Sequence, residues 1–267
     1  MSSAKPKGVM PVRLSAVNRD GNGMFPIRNT VPSRDPPIVT WALIAANCMA
    51  FLFEISLSPL EFLAFLSRFA LIPALYFSPF YAGDLQFTDY LPFFTNMFLH
   101  AGWLHLILNM WTLWLFGGTV EDRLGPGRYL AFYLTCGVLA SVAHAFFNPT
   151  SVDPALGASG AIAGVLGCYF RLFPLARIVV MVPILFIPLF FEIPAFLYGA
   201  FWFLTQMLQG TASLFKPPTG GGMAWWAHIG GFVAGFLLGP LLVRSPRRHR
   251  IYYADEGVLG FNPSGQR

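Results

Sequence analysis

The sequence predicts an all-α membrane protein, a bundle of six transmembrane helices, on three observations. Charged residues make up only 11% of the 267-residue chain, against 55% hydrophobic. A soluble domain carries about 25% charged residues to cover its surface. Twenty-eight Phe and seven Trp, with a mean hydropathy of +0.59, call for a solvent other than water. Finally, apolar runs recur along the chain at the ~20-residue length that spans a ~30 Å hydrocarbon layer. This composition excludes a soluble globular enzyme, a disordered chain, a disulfide scaffold and a collagen. Cys48, Cys136 and Cys168 all sit in apolar runs, an odd and scattered set that predicts neither disulfide nor metal site.

The elements follow in order. Residues 1–36 are polar and basic and read as a mobile tail; no apolar run follows a short basic start, so no cleavable signal peptide is expected. Five apolar runs are plain, at about 38–57, 97–118, 129–147, 157–173 and 225–243. The stretch from Ile178 to Phe215 is too long for one span, and Pro183, Pro188 and Pro194 interrupt it. It divides into an apolar segment in the membrane interface, 178–191, and a sixth span at 193–213, with Glu192 at the boundary. The loop at 58–96 is long and aromatic, too apolar for disorder, and is expected to pack on the outer leaflet face. The domain organisation is thus a basic tail (1–36), a six-helix body (37–243) and a second basic tail (244–267).

Six spans put both termini on one side, and the basic residues choose the side. With the tails inside, fifteen of the seventeen Lys and Arg face inward, leaving only Arg68 and Lys216 outside. The net charge of +5 is therefore a topology signal and a membrane-lipid contact, with no nucleic-acid partner implied. Both termini are expected to be cytoplasmic. The N-terminal segment lacks a convincing transit signature (it holds Asp20 and Asp35), so a bacterial plasma membrane is the expected location.

Polar residues inside apolar spans are functional candidates by default. His105 and Asn109 are spaced i, i+4 and share a face of the second helix. Ser159 opens the fourth helix, and His228 lies about one turn into the sixth. All three helices run outside to inside, so the four residues sit at similar depth in the outer third of the bilayer. Taken singly, each has an ordinary role as packing or interhelical glue; glue does not require equal depth. Small residues add a second coincidence: Ser159, Ala163 and Gly167 line one stripe, and Ala227, Gly231, Gly235 and Gly239 another. Such stripes let membrane helices approach closely, which would bring the Ser159 hydroxyl to the His228 ring. A neutral imidazole within ~3 Å of a hydroxyl can act as its general base. No His-Glu-x-x-His run supports zinc, and no pair of carboxylates lies inside the spans, so serine chemistry is what remains. No carboxylate is placed to orient His228; the reading is a dyad, with no metal and no cofactor. His144 and His249 read as structural or solvated, and His100 as a residue ordering the entrance.

These residues carry a resemblance. Gly157-Ala158-Ser159-Gly160, Ala227-His228-Ile229-Gly230-Gly231 with Gly235, His105-Leu106-Ile107-Leu108-Asn109 and Glu121-Asp122-Arg123-Leu124-Gly125 resemble, in order and spacing, the rhomboid intramembrane serine proteases over about residues 38–243. The resemblance implies a six-transmembrane-helix rhomboid-like bundle, Ser159 as nucleophile and His228 as general base. It also implies that His105, Asn109 and the Ser159 backbone N–H stabilise the oxyanion. It further implies transmembrane protein substrates cut near the outer face, a lateral gate at 193–213, and a cap at 214–224. Glu121 and Arg123 are expected to form a structural knot at the inner end of the second helix. The Trp-Arg pair found in the long outer loop of some family members is absent. Two other readings compete: a catalytically inactive rhomboid-like protein that binds membrane clients, and a small transporter. The first lacks the Ser or the His in such relatives, and the second calls for ionisable groups near the midplane.

Overall fold

The computed structural model describes residues 25–31, 35–77, 85–184, 187–214 and 224–244. The predicted runs become helices, α1 (Ile38–Ser56), α5 (Trp103–Leu124), α6 (Pro126–Phe147), α7 (Ser159–Leu172), α8 (Ala195–Ser213) and α9 (Trp225–Leu242), close to their expected bounds except for α5, which is shifted six residues toward the C-terminus of the 97–118 run. The protein is a mostly helical integral membrane protein. Among the described residues, α1, α6 and α9 are long and apolar enough to cross a membrane, and a fourth crossing arises if 87–98 and α5, bent by 79° at their junction, count as one. At 14 residues, α7 rises about 21 Å, less than a hydrocarbon layer. It is instead the hub of the fold, buried at every position from Gly160 to Phe170.

The small-residue stripes set its packing. A Cβ on Gly231 would lie 2.9 Å from the Gly160 carbonyl carbon and closer still to its oxygen. One on Gly235 would lie 2.5 Å from Gly164 Cα, and one on Gly167 would lie 2.9 Å from Phe236 N. Real Cβ atoms essentially never come under 3.0 Å of a neighbour, so α7 and α9 touch backbone to backbone, and only glycine permits it. The other side of α7 meets α6, where Gly164 faces Cys136 and Gly160 faces Ala140.

The 58–96 loop is organised rather than merely apolar. Helix α2 (Pro59–Phe69) opens with a capping box in which the Ser58 hydroxyl and the Glu61 carboxylate serve each other's backbone N–H groups. The Ser58 hydroxyl, which donates to the Glu61 carboxylate at 2.6 Å, and then the Ser58 backbone N–H hold that carboxyl below its ordinary value. Short helices α3 (Ala74–Phe77) and α4 (Pro92–Thr95) follow, with the Tyr76 hydroxyl donating to the Asp89 carbonyl at 2.6 Å. Burial, then the nearby Asp89 and Tyr90, push the Tyr76 phenol up to about 12.

Two expectations are corrected. The all-α expectation fails at the apolar 178–191 segment, which is a hairpin, β2 (Arg177–Ile184) and β3 (Ile187–Pro194), paired antiparallel with Val179 opposite Glu192. Arg177 and Glu192 form an exposed ion pair at 3.8 Å across it. The 1–36 tail is not mobile throughout: β1 (Phe25–Asn29) pairs antiparallel with β2, giving the sheet order β1-β2-β3. Trp111 Nε1 donates to the Pro26 carbonyl at 2.8 Å, and Asn29 donates to the Leu115 carbonyl, so β1 is docked on α5. The 244–267 tail, with His249, lies outside the described residues apart from Arg244, as does the cap expected at 214–224 apart from Leu214 and Ala224.

Candidate active site

The C-terminal end of α5 is anchored to the start of α1. Glu121 accepts from the Val39 and Thr40 backbone N–H groups at 2.9 and 2.8 Å, and from the Thr40 hydroxyl at 2.8 Å. It thereby satisfies donors that a helix N-terminus leaves open. Arg123 is not its partner; the guanidinium stacks over Phe173 at 4.9 Å.

At the other end, α7 starts after a tight turn. Gly157 sits at φ +129°, and its N–H donates to the Asn96 carbonyl at 2.9 Å. Asn96 in turn donates to the Ser141 hydroxyl at 2.9 Å, so α6 fixes the same turn. This turn delivers Ser159 to the first position of α7, where backbone N–H groups lack intrahelical partners and the helix dipole favours negative charge.

The close approach of α7 and α9 brings Ser159 Oγ to 2.8 Å from His228 Nε2. His228 is buried, one turn into α9. His105 lies beside them: a Cβ on Gly157 would meet its Cε1 and Nε2 at 2.7 and 2.8 Å and the Ser159 hydroxyl at 3.6 Å, so ring nitrogen and hydroxyl flank one point above the turn. Asn109 is less direct. Its Nδ2 is 3.1 Å from His100 Nε2, and its second N–H is left for another acceptor.

His100 therefore does more than the sequence suggested. It precedes α5 rather than lying on it, is buried, and packs its ring edge-on to His105 at 5.1 Å between centroids. Its backbone N–H donates to the buried Glu54 carboxylate at 3.1 Å. A cavity of about 20 Å³ adjoins Ser159, lined also by Asn96, Ala140, Ser141, His144 and Gly157. That volume accommodates about one water among polar partners, and it places His144 near the site.

Sequence reasoning missed Asn96 and Ser141, which hold the turn before Ser159, and a residue that touches the dyad itself. Gln206 on α8 is buried, and its Oε1 lies 2.8 Å from His228 Nδ1. A polar residue within an apolar span was the available signal.

Comparison with known proteins gives the family. A model described as the rhomboid domain matches residues 88–245, more than half of the chain. The chain belongs to the rhomboid family. It is 30% identical over 161 residues to "Rhomboid protein 1, mitochondrial" of Saccharomyces cerevisiae, covering 58% of this chain and 42% of that protein. It is 35% identical over 101 residues to "Presenilin-associated rhomboid-like protein A, mitochondrial" of Danio rerio, covering 37% and 26%. It is 45% identical over 73 residues to "Rhomboid protease GluP" of Bacillus subtilis, covering 27% and 14%. The chain thus spans less than half the length of these rhomboid relatives.

Proposed function

We propose that this rhomboid protein is an intramembrane serine endopeptidase that cuts single-span membrane proteins near the outer face of the membrane. The observation that carries the reading is the 2.8 Å approach of Ser159 Oγ to His228 Nε2 at the top of two helices packed backbone to backbone. In the proposed reaction the hydroxyl oxygen attacks the scissile carbonyl carbon while its proton passes to Nε2. The C–N bond then breaks and the imidazolium returns the proton to the leaving amine. A water, deprotonated by the same nitrogen, hydrolyses the acyl-serine ester. The oxyanion would be met by the Ser159 backbone N–H, by His105 and by Asn109. Each such donor is typically worth about 3–4 kcal/mol of barrier. The six crossings, the gate at α8 and the inward-facing termini belong to this proposal, supported by helix order and by the inward excess of Lys and Arg. A bacterial plasma membrane remains the proposed location, against relatives named as mitochondrial; fractionation of the source cell decides it.

The test uses the full chain reconstituted in liposomes with a model single-span substrate and a serine-reactive fluorophosphonate. The wild type should cut and label, and Ser159→Ala should do neither. Continued cutting by Ser159→Ala overturns the nucleophile. Absence of cutting by the wild type, with the substrate still captured, favours the client-binding alternative.

A further inference from the structure

We propose that Gln206 is a positioning residue of the dyad: by accepting the Nδ1–H of His228 it holds the ring in the tautomer whose bare Nε2 faces Ser159. The inference rests on the protease reading above and deepens it, turning the dyad into a three-helix relay.

The hydrogen-bond network sets the polarity. The Thr205 hydroxyl donates to the Trp202 carbonyl at 2.6 Å, so its oxygen offers only lone pairs to the Gln206 amide 3.2 Å away. The nitrogen of that amide must therefore face Thr205, which leaves Oε1 facing His228 Nδ1 at 2.8 Å. An amide oxygen only accepts, so Nδ1 carries the proton. In a neutral imidazole Nε2 is then bare and accepts the Ser159 hydroxyl, the arrangement a general base needs.

Packing holds the acceptor still. Trp202, Gln206 and Gly210 recur every four residues on α8 and form its face toward α9. Trp202 lies over His228 with centroids 6.0 Å apart and planes at 33°. A Cβ on Gly210 would touch Ile229 at 3.1 Å. Ser159, His228 and Gln206 thus come from α7, α9 and α8, and the histidine is clamped from both sides. A carboxylate usually fills the third place in serine hydrolases. A neutral amide does the orienting part of that task without leaving a second buried charge. It also ties the base to α8: an outward displacement of that helix beyond hydrogen-bond reach releases the ring.

Glue between helices would also explain a buried Gln, but glue is indifferent to which ring nitrogen bears the proton. The experiment therefore compares wild type, Gln206→Leu and Gln206→Glu in the full chain, each checked for an unchanged thermal transition. The first readout needs no activity. In protein with 15N-labelled histidine, the His228 ring signals, identified by their loss in His228→Phe, should show a protonated Nδ1 and bare Nε2 in wild type and Gln206→Glu. Gln206→Leu should lose that preference. The second readout is kinetic. Gln206→Leu should lose on the order of 10–100-fold in kcat with KM within about twofold, and Gln206→Glu, which keeps an acceptor oxygen, should recover to within about fivefold of wild type. A wild-type His228 protonated at Nε2, or a Leu variant with unchanged tautomer and kcat, overturns the proposal. Failure of the wild type to cut or label overturns the protease reading instead, and the ring signals then still judge Gln206.

Discussion

Replacing Gly231 by Ala tests the geometry on which the site depends. Gly231 lies three residues after His228, and Gly160 follows Ser159, so this contact is the nearest backbone touch to the dyad. The added methyl would sit 2.9 Å from the Gly160 carbonyl carbon and nearer its oxygen, with no flexible side chain to yield. The carbonyl oxygen sets the separation: it lies well inside the 3.0 Å that real Cβ atoms keep, so the two backbones must part by about 1 Å. Added to the present 2.8 Å, that stretch takes Ser159 Oγ beyond hydrogen-bond reach of Nε2. A misplacement of about 1 Å at a reacting pair costs on the order of 100-fold in rate, and overpacking of this kind costs about 1–3 kcal/mol in stability. The assay is kcat/KM on the liposome substrate, alongside fluorophosphonate labelling and the thermal transition. Gly127→Ala is the control, because a Cβ there meets nothing within 4 Å. Cleavage by Gly231→Ala within about threefold of the control would refute the claim that backbone contact between α7 and α9 sets the dyad distance.

Gly157→Ala should lose most activity with only a modest loss of stability. Position 157 has φ +129°, which disfavours a side chain, and the new methyl would press on the His105 ring at 2.7 Å; cleavage and thermal scans of the variant check this. Glu121→Ala should destabilise the protein by about 3 kcal/mol, because it strands two backbone N–H groups and a buried hydroxyl at the start of α1; denaturant titration in mild detergent measures it. The capping box of α2 should weaken in acid. Folding lowers the Glu61 carboxyl from its ordinary value, so its contribution is complete above the usual carboxylate range and is lost as pH falls through the folded value. Amide protection in the first turn of α2 should fall over that interval in wild type, and by less in Ser58→Ala, which keeps only the backbone bond to the carboxylate.

The helices were legible because hydropathy at ~20-residue length is a strong signal, and the proximity of Ser159 to His228 was legible from equal depth and two small-residue stripes. The stripes worked because glycine and alanine at four-residue spacing leave few other uses. The 178–191 hairpin was misread for the same reason the helices were found. A run such as Ile178-Val179-Val180-Met181-Val182 is as apolar as a membrane segment, and only its β-branched content marks a strand. β1 had no local signature, since its pairing partner lies about 150 residues away. The contacts of His100 with Asn109 and His105 were not legible because His100 lies before Gly102, where α5 has not begun, so helical spacing does not relate it to them. Gln206 was not legible because equal depth relates residues on helices of the same direction, and α8 is expected to run opposite to α5, α7 and α9.

The sheet also has a consequence in time. Residues 25–29 leave the ribosome long before residues 177–184 exist. At roughly 5–20 residues per second, the early strand waits on the order of ten seconds or more while α1, α5, α6 and α7 are made. During that wait it must stay on the side where the hairpin later appears. Under the proposed topology, the final pairing therefore records that the intervening helices were threaded with the correct parity, and a nascent chain with one helix misinserted would have no edge for its own beginning to join.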